Sequence, residues 1–560
     1  MQLIVKYTIL ILTITVVGCG GGGGGGSPGT TPPGGNPPGN TGNGCTTPVA
    51  NSSGTLFTNV TLSLDLCYAV AESIQQSDIH VQGGGLAMSD VDRDGDFDLY
   101  VTHGSFDHGV LLLFDGSTYS PAPNNNGIDL KGLDNAGFFV DIDDDGWDDF
   151  ISIQYQPNYV EIFRNDGTGQ FVEDTQSTNI YLNKPTYSVA AADYDLDGDV
   201  DLFFAHWGAF WTGDVREYLW QNDGTGAFTD VSSIVEIRPT FRPFPFDDVE
   251  AEHSFTPVFS DVDSDGWPDM LLTGDFESTQ VLMNMAGTAF VDATTDVITD
   301  ENGMGAAIAD YDRDGDFDWF VSSIFFSGKE KEYTGGVTGN RLYRNDGGQF
   351  TDVTDEAGVR DGDWGWGSCF ADFDNDGHPD IFHTNGMRSA AARDTDETHP
   401  LYPFFRDPSR LFMAQGDLTF VDEAAAAGIN HTEQGRGVIC TDYDVDGLID
   451  ILVSNNGLSP TVYKNRLASD AHWLQIILDG PPGNRQGIGA KVSVQSASGQ
   501  QVQEVYLGTN YLSQPPAVLH FGLGADDAVT SIVVDWPGTT TADTMLEDVD
   551  VDQRIIVSAE

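Results

Sequence analysis

Seven times between residues 86 and 455 the chain runs a short apolar stretch, breaks into an acidic turn, and resumes a second apolar stretch. Before the turn the residues are small and apolar (LAMSD, VAAAD, AAIAD, VICTD). After it they are β-branched or aromatic (DLYVTH, DLFFAH, DWFVSS, DILVSN). Runs of this length and composition, bounded by glycine and aspartate, predict strands. A second element follows at variable distance: FRNDGTGQFVED from Phe163, WQNDGTGAFTD from Trp220, LMNMAGTAFVD from Leu282, YRNDGGQFTDVT from Tyr343 and FMAQGDLTFVD from Phe412. Each is a pair of short strands around a tight turn. A unit is therefore four strands, and seven such units predict an all-β fold, a seven-bladed β-propeller. After the seventh acidic turn Val462–Asn465 gives a third strand and no fourth. Phe57–Thr61, which matches FTDVT from Phe350, supplies the fourth from the other end of the chain and closes the ring.

The pattern changes in the tail. WLQIIL, KVSV, EVYL, SIVVDW and RIIVS are strand-length apolar or alternating runs separated by glycine turns, which predicts a small β-sandwich-like domain. His520 and Trp536 fall in glycine-flanked strand contexts, where core or corner roles are the expectation. The other end is not a core at all. Lys6, an apolar run from Tyr7 to Val17, and Val16-Val17-Gly18-Cys19 form an export signal too short to span a bilayer, and the tetrapeptide resembles a bacterial lipobox with Cys19 as the lipidated residue. Gly20 to Asn43 is a glycine- and proline-rich tether whose random-coil reach is roughly 25–30 Å. The expected organisation is a signal peptide over 1–18, a tether over 19–56, a propeller over 57–466 and a β domain over 472–560.

Charge narrows the partners. The chain has 24 Lys+Arg against 87 Asp+Glu, a net charge of −63, which excludes phosphate-driven nucleic-acid binding and favours cations. Of the cysteines, Cys45 and Cys67 flank the start of the folded region and are expected to form a disulfide in an oxidising compartment. Cys369 and Cys440 lie in apolar strands and are expected to be small buried hydrophobes.

The acidic turns carry the chemistry. DVDRDGDFD from Asp90 recurs as DIDDDGWDD from Asp141, DYDLDGDVD from Asp193, DVDSDGWPD from Asp261, DYDRDGDFD from Asp310, DFDNDGHPD from Asp372 and DYDVDGLID from Asp442. Positions 1, 3, 5 and 9 are always aspartate and position 6 is always glycine. The candidate ligands are thus Asp90, Asp92, Asp94 and Asp98; Asp141, Asp143, Asp145 and Asp149; Asp193, Asp195, Asp197 and Asp201; Asp261, Asp263, Asp265 and Asp269; Asp310, Asp312, Asp314 and Asp318; Asp372, Asp374, Asp376 and Asp380; and Asp442, Asp444, Asp446 and Asp450. Carboxylates drawn to about 5 Å repel by roughly 3 kcal/mol per pair at an effective dielectric near 20. A hard cation relieves that repulsion. Calcium takes six to eight oxygens at flexible angles, whereas magnesium demands a tighter octahedron, so Ca2+ at about seven sites is the expectation. An EF-hand shares this opening, but its position 12 is a glutamate between helices. Here position 12 is Val101, Ser152, Phe204, Leu272, Val321, His383 and Val453, and the flanks are strands.

These loops and their F-x-D-V-T strands resemble the FG-GAP/VCBS repeats of integrin-like propellers. In the tail, NRQGIGAKV from Asn484, NYLSQ from Asn510, HFGLG from His520 and DWPG from Asp535 are similar to the ASPIC/UnbV domain that follows such repeats in the cartilage acidic protein family and its bacterial lipoprotein relatives. The resemblance implies an extracytoplasmic calcium-binding propeller and specifies no activity.

In such units the acidic loops and the tight turns share one face, and the longer connections share the other. Loops of variable length on a rigid scaffold are where binding resides. Two insertions on that second face combine arginine with aromatics: one carries Arg238 and Arg242, the other Arg388, Arg393, Arg406 and Arg410. They are candidates for recognising a protein or glycan at the cell surface, or for capping the channel or packing against the tail. His103, Gln154, His206, Gly274, Ser323, Asn385 and Asn455, at the ends of the second strands, are expected to ring the channel mouth. No GxSxG elbow, HExxH helix or Cys/His nucleophile pair occurs. The sequence therefore points to a non-enzymatic binding or adhesion module. It is exported and held at the cell envelope through its lipid anchor, with the outer membrane favoured and a periplasmic or surface-exposed position. A hydrolase or lyase acting on an extracellular polymer is the alternative.

Overall fold

The structure is a computed structural model that describes residues 56–66, 82–104, 108–156, 160–182, 184, 186–207, 217–237, 253–326, 338–387, 401–467, 470–508, 510–538 and 542–559. Cys19, Cys45, Cys67, Arg238, Arg242, Arg388 and Arg393 lie outside the described residues. No helix among the described residues is long and apolar enough to cross a membrane.

Each acidic turn joins the first two strands of an antiparallel sheet. The first strands are Leu86–Ser89, Leu133–Val140, Thr186–Ala192, Ser254–Ser260, Ala306–Ala309, Gly365–Ala371 and Gly435–Thr441, each ending immediately before position 1 of its turn. The second strand begins at position 9 in all seven cases, from Asp98, Asp149, Asp201, Asp269, Asp318, Asp380 and Asp450. Seven four-stranded sheets result, here numbered 1 to 7 in chain order. Consecutive first strands pack against one another, and the first strand of sheet 7 returns to that of sheet 1, so they form a ring around the axis. Large apolar side chains fill the spaces between sheets; Tyr100, Phe150, Trp319, Phe320, Phe382 and Ile451 are fully buried.

The ring is closed as the sequence implies. Phe57–Asn59 pairs antiparallel with Thr461–Asn465 to complete sheet 7. Phe57 is fully buried and meets Phe373 edge to face at 5.5 Å. The reading of Cys369 and Cys440 as separate small hydrophobes is corrected: they form a disulfide. Their first strands are neighbours in the ring, which brings the Cα atoms to 6.4 Å across 71 residues of sequence. That proximity follows from ring geometry and leaves no local trace.

The tail forms two sheets. Leu519–Gly524, His472–Asp479 and Gln553–Ser558 make one; Gly499–Glu504, Lys491–Ser496, Val529–Asp535 and Thr544–Val549 make the other. Leu474, Ile476, Val492, Phe521, Ile532 and Trp536 are buried between them. A connection from this domain enters the ring. Leu507–Gly508 adds a fifth strand to sheet 3 through Ala190 and Ala191. Gln514 Nε2 donates to Phe139 O while its Oε1 accepts from Phe139 N, both at 2.7 Å. Tyr511 donates to Gln82 O (2.9 Å) and packs on Trp366 (5.0 Å). The passage is tight enough to require glycine: a Cβ on Gly437 would lie 1.7 Å from Ser513 Oγ, and one on Gly85 would lie 1.9 Å from Leu512 O.

Phe57→Ala removes the largest side chain of the closing strand. A loss of about 3–5 kcal/mol in unfolding free energy is expected from chemical denaturation, and a loss below about 1 kcal/mol would show that the strand does not close the ring.

Candidate metal centres

The local backbone explains why these turns form. Position 4 has left-handed φ in all seven loops: Arg93 58°, Asp144 57°, Leu196 55°, Ser264 59°, Arg313 64°, Asn375 56° and Val445 56°. Position 6 is glycine at φ between 87° and 101° in the same seven. A leucine and a β-branched valine in this region are strained, and such strain persists where surrounding contacts fix it.

Carboxylates supply those contacts by capping their own turn. Asp90 Oδ1 accepts from the Asp94 N–H (3.0 Å) and its Oδ2 from Gly95 N–H (3.1 Å); Asp310 does the same with Asp314 and Gly315 at 3.0 and 3.1 Å. Position 5 accepts from the N–H of position 7, as in Asp94 with Asp96 at 3.0 Å. Position 9 ties the loop to the third strand: Asp149, Asp201, Asp269 and Asp318 accept from the N–H of Asn165, Asn222, Asn284 and Asn345 at 2.7–2.8 Å.

Position 3 behaves differently. Oδ1 of Asp92, Asp143, Asp195, Asp312, Asp374 and Asp444 is buried and has no hydrogen-bond partner, and the same holds for Asp141 Oδ1 and Asp450 Oδ2. An ionised oxygen buried without a donor is costly. The same oxygen is orphaned in six of seven loops. Ligand atoms of Asp90, Asp92 and Asp94; Asp141, Asp143 and Asp149; Asp193, Asp195 and Asp197; Asp261, Asp263 and Asp265; and Asp310, Asp312 and Asp318 lie within 4.8 Å of one another. These clusters could hold metal ions, and the donor set, all carboxylate oxygen with one unsatisfied lone pair, fits a hard divalent cation. Without an ion, burial pushes Asp98, Asp149 and Asp269 up to about 8 and Asp318 up to about 9, and neighbouring carboxylates add to the rise. Asp90 and Asp141 rise to about 6 for the same reason.

Basic side chains approach some loops. Arg164 Nη1 lies 3.0 Å from Asp143 and 3.1 Å from Asp149. Lys464 pairs with Asp444 and lies 2.8 Å from Asp446.

The asparagines of the tight turns do more than turn the chain. Asn165 Nδ2 donates to Val91 O (3.0 Å), Asn222 to Ile142 O (3.0 Å), Asn284 to Tyr194 O (2.8 Å), Asn345 to Val262 O (2.8 Å) and Asn465 to Phe373 O (2.8 Å). Each acceptor is position 2 of the preceding sheet's loop, so the asparagine latches one metal loop to the next sheet. Phe114 and Ala414 stand at the two joints without it, and an aromatic contact takes its place: Phe114 with Tyr443 at 5.8 Å, Tyr311 with Phe420 at 6.0 Å. An N-D-G string marks three of the five, at Asn165, Asn222 and Asn345, and turn propensity alone accounts for it.

The second-strand ends do not ring a channel mouth. His103, Gln154, His206, Ser323, Asn385 and Asn455 are buried, and they stitch their own sheet: Asn385 Nδ2 donates to Pro408 O (2.6 Å) and Asn455 Nδ2 to Ser459 O (2.8 Å). The first strand, not the second, lines the axis, and residues 507–508 and 510–514 occupy it. On the second face, Arg410 is held between Asp363 and Asp422, while Arg406 is exposed. The aromatic part of that insertion caps the ring, with Phe404 packed on Trp364 at 5.1 Å and Phe326 at 5.3 Å. Phe404 belongs to the same buried cluster as Tyr511 and Leu512 of the tail, whose two sheets lie on the metal-loop face. Ser409, His431 and Asn455 form a linked set (2.9 and 2.8 Å), each at most 2 % exposed, and fasten loops rather than face solvent.

Fold and loops together define a β-propeller built from aspartate-rich turns and joined to a small β domain. The FG-GAP-like repeat model matches residues 141–204, 261–321 and 327–383, and the ASPIC and UnbV model matches 480–560. The chain carries both, and it is homologous to cartilage acidic protein 1. Identity to the Homo sapiens protein is 24 % over 514 residues, covering 81 % of this chain and 68 % of that one; identity to the Mus musculus protein is 28 % over 249 residues, covering 35 % and 38 %. Among solved structures, an Agrocybe aegerita protein described as recognising non-reducing terminal N-acetylglucosamine matches with TM-score 0.39 at 16 % identity, covering 61 % of this chain and 79 % of its own. Bacillus licheniformis rhamnogalacturonan lyase matches with TM-score 0.36 at 13 % identity, covering 73 % and 76 %.

The raised carboxylates fix a pH dependence. In excess chelator the folded protein binds more protons than the unfolded chain, whose aspartates titrate near about 3.9. Stability is therefore present in acid and lost as pH rises through the folded pKa values of about 6 to about 9. Melting temperature in chelator should fall from pH 5 to pH 8; a flat or rising profile would contradict the burial of these groups.

Proposed function

We propose that the chain is an exported, calcium-stabilised β-propeller that serves as an extracytoplasmic binding module, tethered to the envelope through lipid on Cys19. The orphaned position-3 oxygens carry the calcium reading: a buried carboxylate oxygen recurring in one register calls for a ligand, and an all-oxygen donor set with flexible geometry suits calcium over magnesium or a softer metal. Ions at about seven loops neutralise the clusters on one face and stiffen the ring. The Cys369–Cys440 disulfide supports an oxidising compartment, in keeping with the export signal. The FG-GAP-like repeats and the relationship to cartilage acidic protein 1 support a binding role outside the cytoplasm.

Geometry directs the binding surface. The tail covers part of the metal-loop face and fills the axis, so a protein or glycan partner meets the opposite face, where Arg406 is exposed. We propose domain limits of 57–466 for the propeller and 472–560 for the β domain.

Equilibrium dialysis of the purified chain should find about seven calcium ions, and Asp312→Asn should remove one of them. At calcium 100-fold above its Kd, each site contributes about 2.7 kcal/mol, so chelation should lower the melting temperature substantially. Full retention of melting temperature and protease resistance in chelator would sink the reading.

A further inference from the structure

The β domain grips the metal loops through their ligands. Gln475 Nε2 donates to Oδ2 of Asp442, position 1 of loop 7, at 2.8 Å. Lys491 Nζ donates to Oδ2 of Asp261, position 1 of loop 4, at 3.0 Å and to its backbone oxygen at 3.2 Å. Two further contacts fall on position 4: Arg485 on Asp144 at 2.7 Å, and His520 Nε2 2.7 Å from Asn375 Oδ1. Gln475 is 1 % exposed, and its Oε1 accepts from Arg554 at 2.7 Å, which turns the amide nitrogen toward Asp442. Two cavities remain at this seam, of about 160 and about 190 Å³. The first is lined by Asp310, Asp372 and Asp442 with Gln475; the second by Asp193 and Asp261 with Lys491. Position-1 residues of five loops thus line these two cavities.

Resting on the calcium reading above, we propose that Gln475 and Lys491 are positioning residues for the ions of loops 7 and 4, and that ion binding there and docking of the β domain are linked. Both events order the same two carboxylates. Each therefore lowers the ordering cost of the other, and the coupling is reciprocal. Partners of this kind, bonded to a ligand rather than to the metal, commonly change affinity by about 10- to 100-fold.

Three amides report docking directly. The N–H of Leu86 donates to Ser513 Oγ (2.9 Å), that of Met88 to Gln514 O (3.2 Å), and that of Phe139 to Gln514 Oε1 (2.7 Å). Hydrogen exchange of the full chain in calcium and in chelator, with calcium counted by dialysis in parallel, tests the linkage. Chelation is expected to accelerate these amides by about 5- to 150-fold while those of Leu202–His206 and Tyr218–Gln221 stay protected. Gln475→Ala in calcium should accelerate the same three and shift one ion to about 10- to 100-fold higher free calcium. Unchanged exchange while ions leave, or acceleration only in step with the sheet strands, overturns the linkage and leaves the calcium reading intact. Dialysis that finds no bound calcium overturns the calcium reading, and the linkage with it.

Discussion

Like charge held at short range is the constraint on which this architecture depends. Each acidic turn gathers carboxylates whose ligand atoms lie within 4.8 Å in the clusters described. Backbone N–H groups from within the turn and from the third strand satisfy most of their oxygens. They do not satisfy position 3, whose Oδ1 is buried and alone in six loops. A fold that met this cost six times with no compensation would lose stability comparable to the whole margin of a typical domain. The donor set of the loop fits a cation, and the residue at position 4 is left-handed even where it is Leu196 or Val445.

From that point the ring follows. Position 9 opens the second strand and holds the third, while at five joints the asparagine that ends the third strand reaches the previous loop's position 2. A metal loop is thus part of two sheets at once, and stiffness in it is transmitted around the axis. Phe57–Asn59 and the Cys369–Cys440 disulfide fasten sheet 7 to its own first element and to sheet 6. The β domain adds a third fastening by threading Leu507–Gln514 along the innermost strands. The metal-loop face is therefore covered in part by the β domain.

Much of this was legible in the sequence because the signal was local and repeated. One register of aspartate and glycine, recurring between strand-length apolar runs, carried the unit, the loop and its chemistry, and the missing fourth strand after Asn465 pointed to Phe57. What depended on the closed ring was not legible. Cys369 and Cys440 became partners only because consecutive first strands are neighbours. Asn222 looked like a turn residue because its long-range acceptor, Ile142 O, lies 80 positions away. Strand polarity alone puts the second-strand ends, such as Asn455, at a channel mouth, because only the closed ring shows that the first strand lines the axis and that the tail fills it. The tail's docking face was hidden for the same reason: Gln475 and Lys491 sit in ordinary alternating strands, and only their partners make them informative.

The central claim is that position-3 oxygens converge on an ion. Anomalous diffraction from crystals grown in calcium tests it most directly. Anomalous peaks are expected about 2.3–2.6 Å from Oδ1 of Asp92, Asp143, Asp195, Asp312, Asp374 and Asp444. Loops without such peaks, with those oxygens turned outward or bonded to water or lysine, would contradict it.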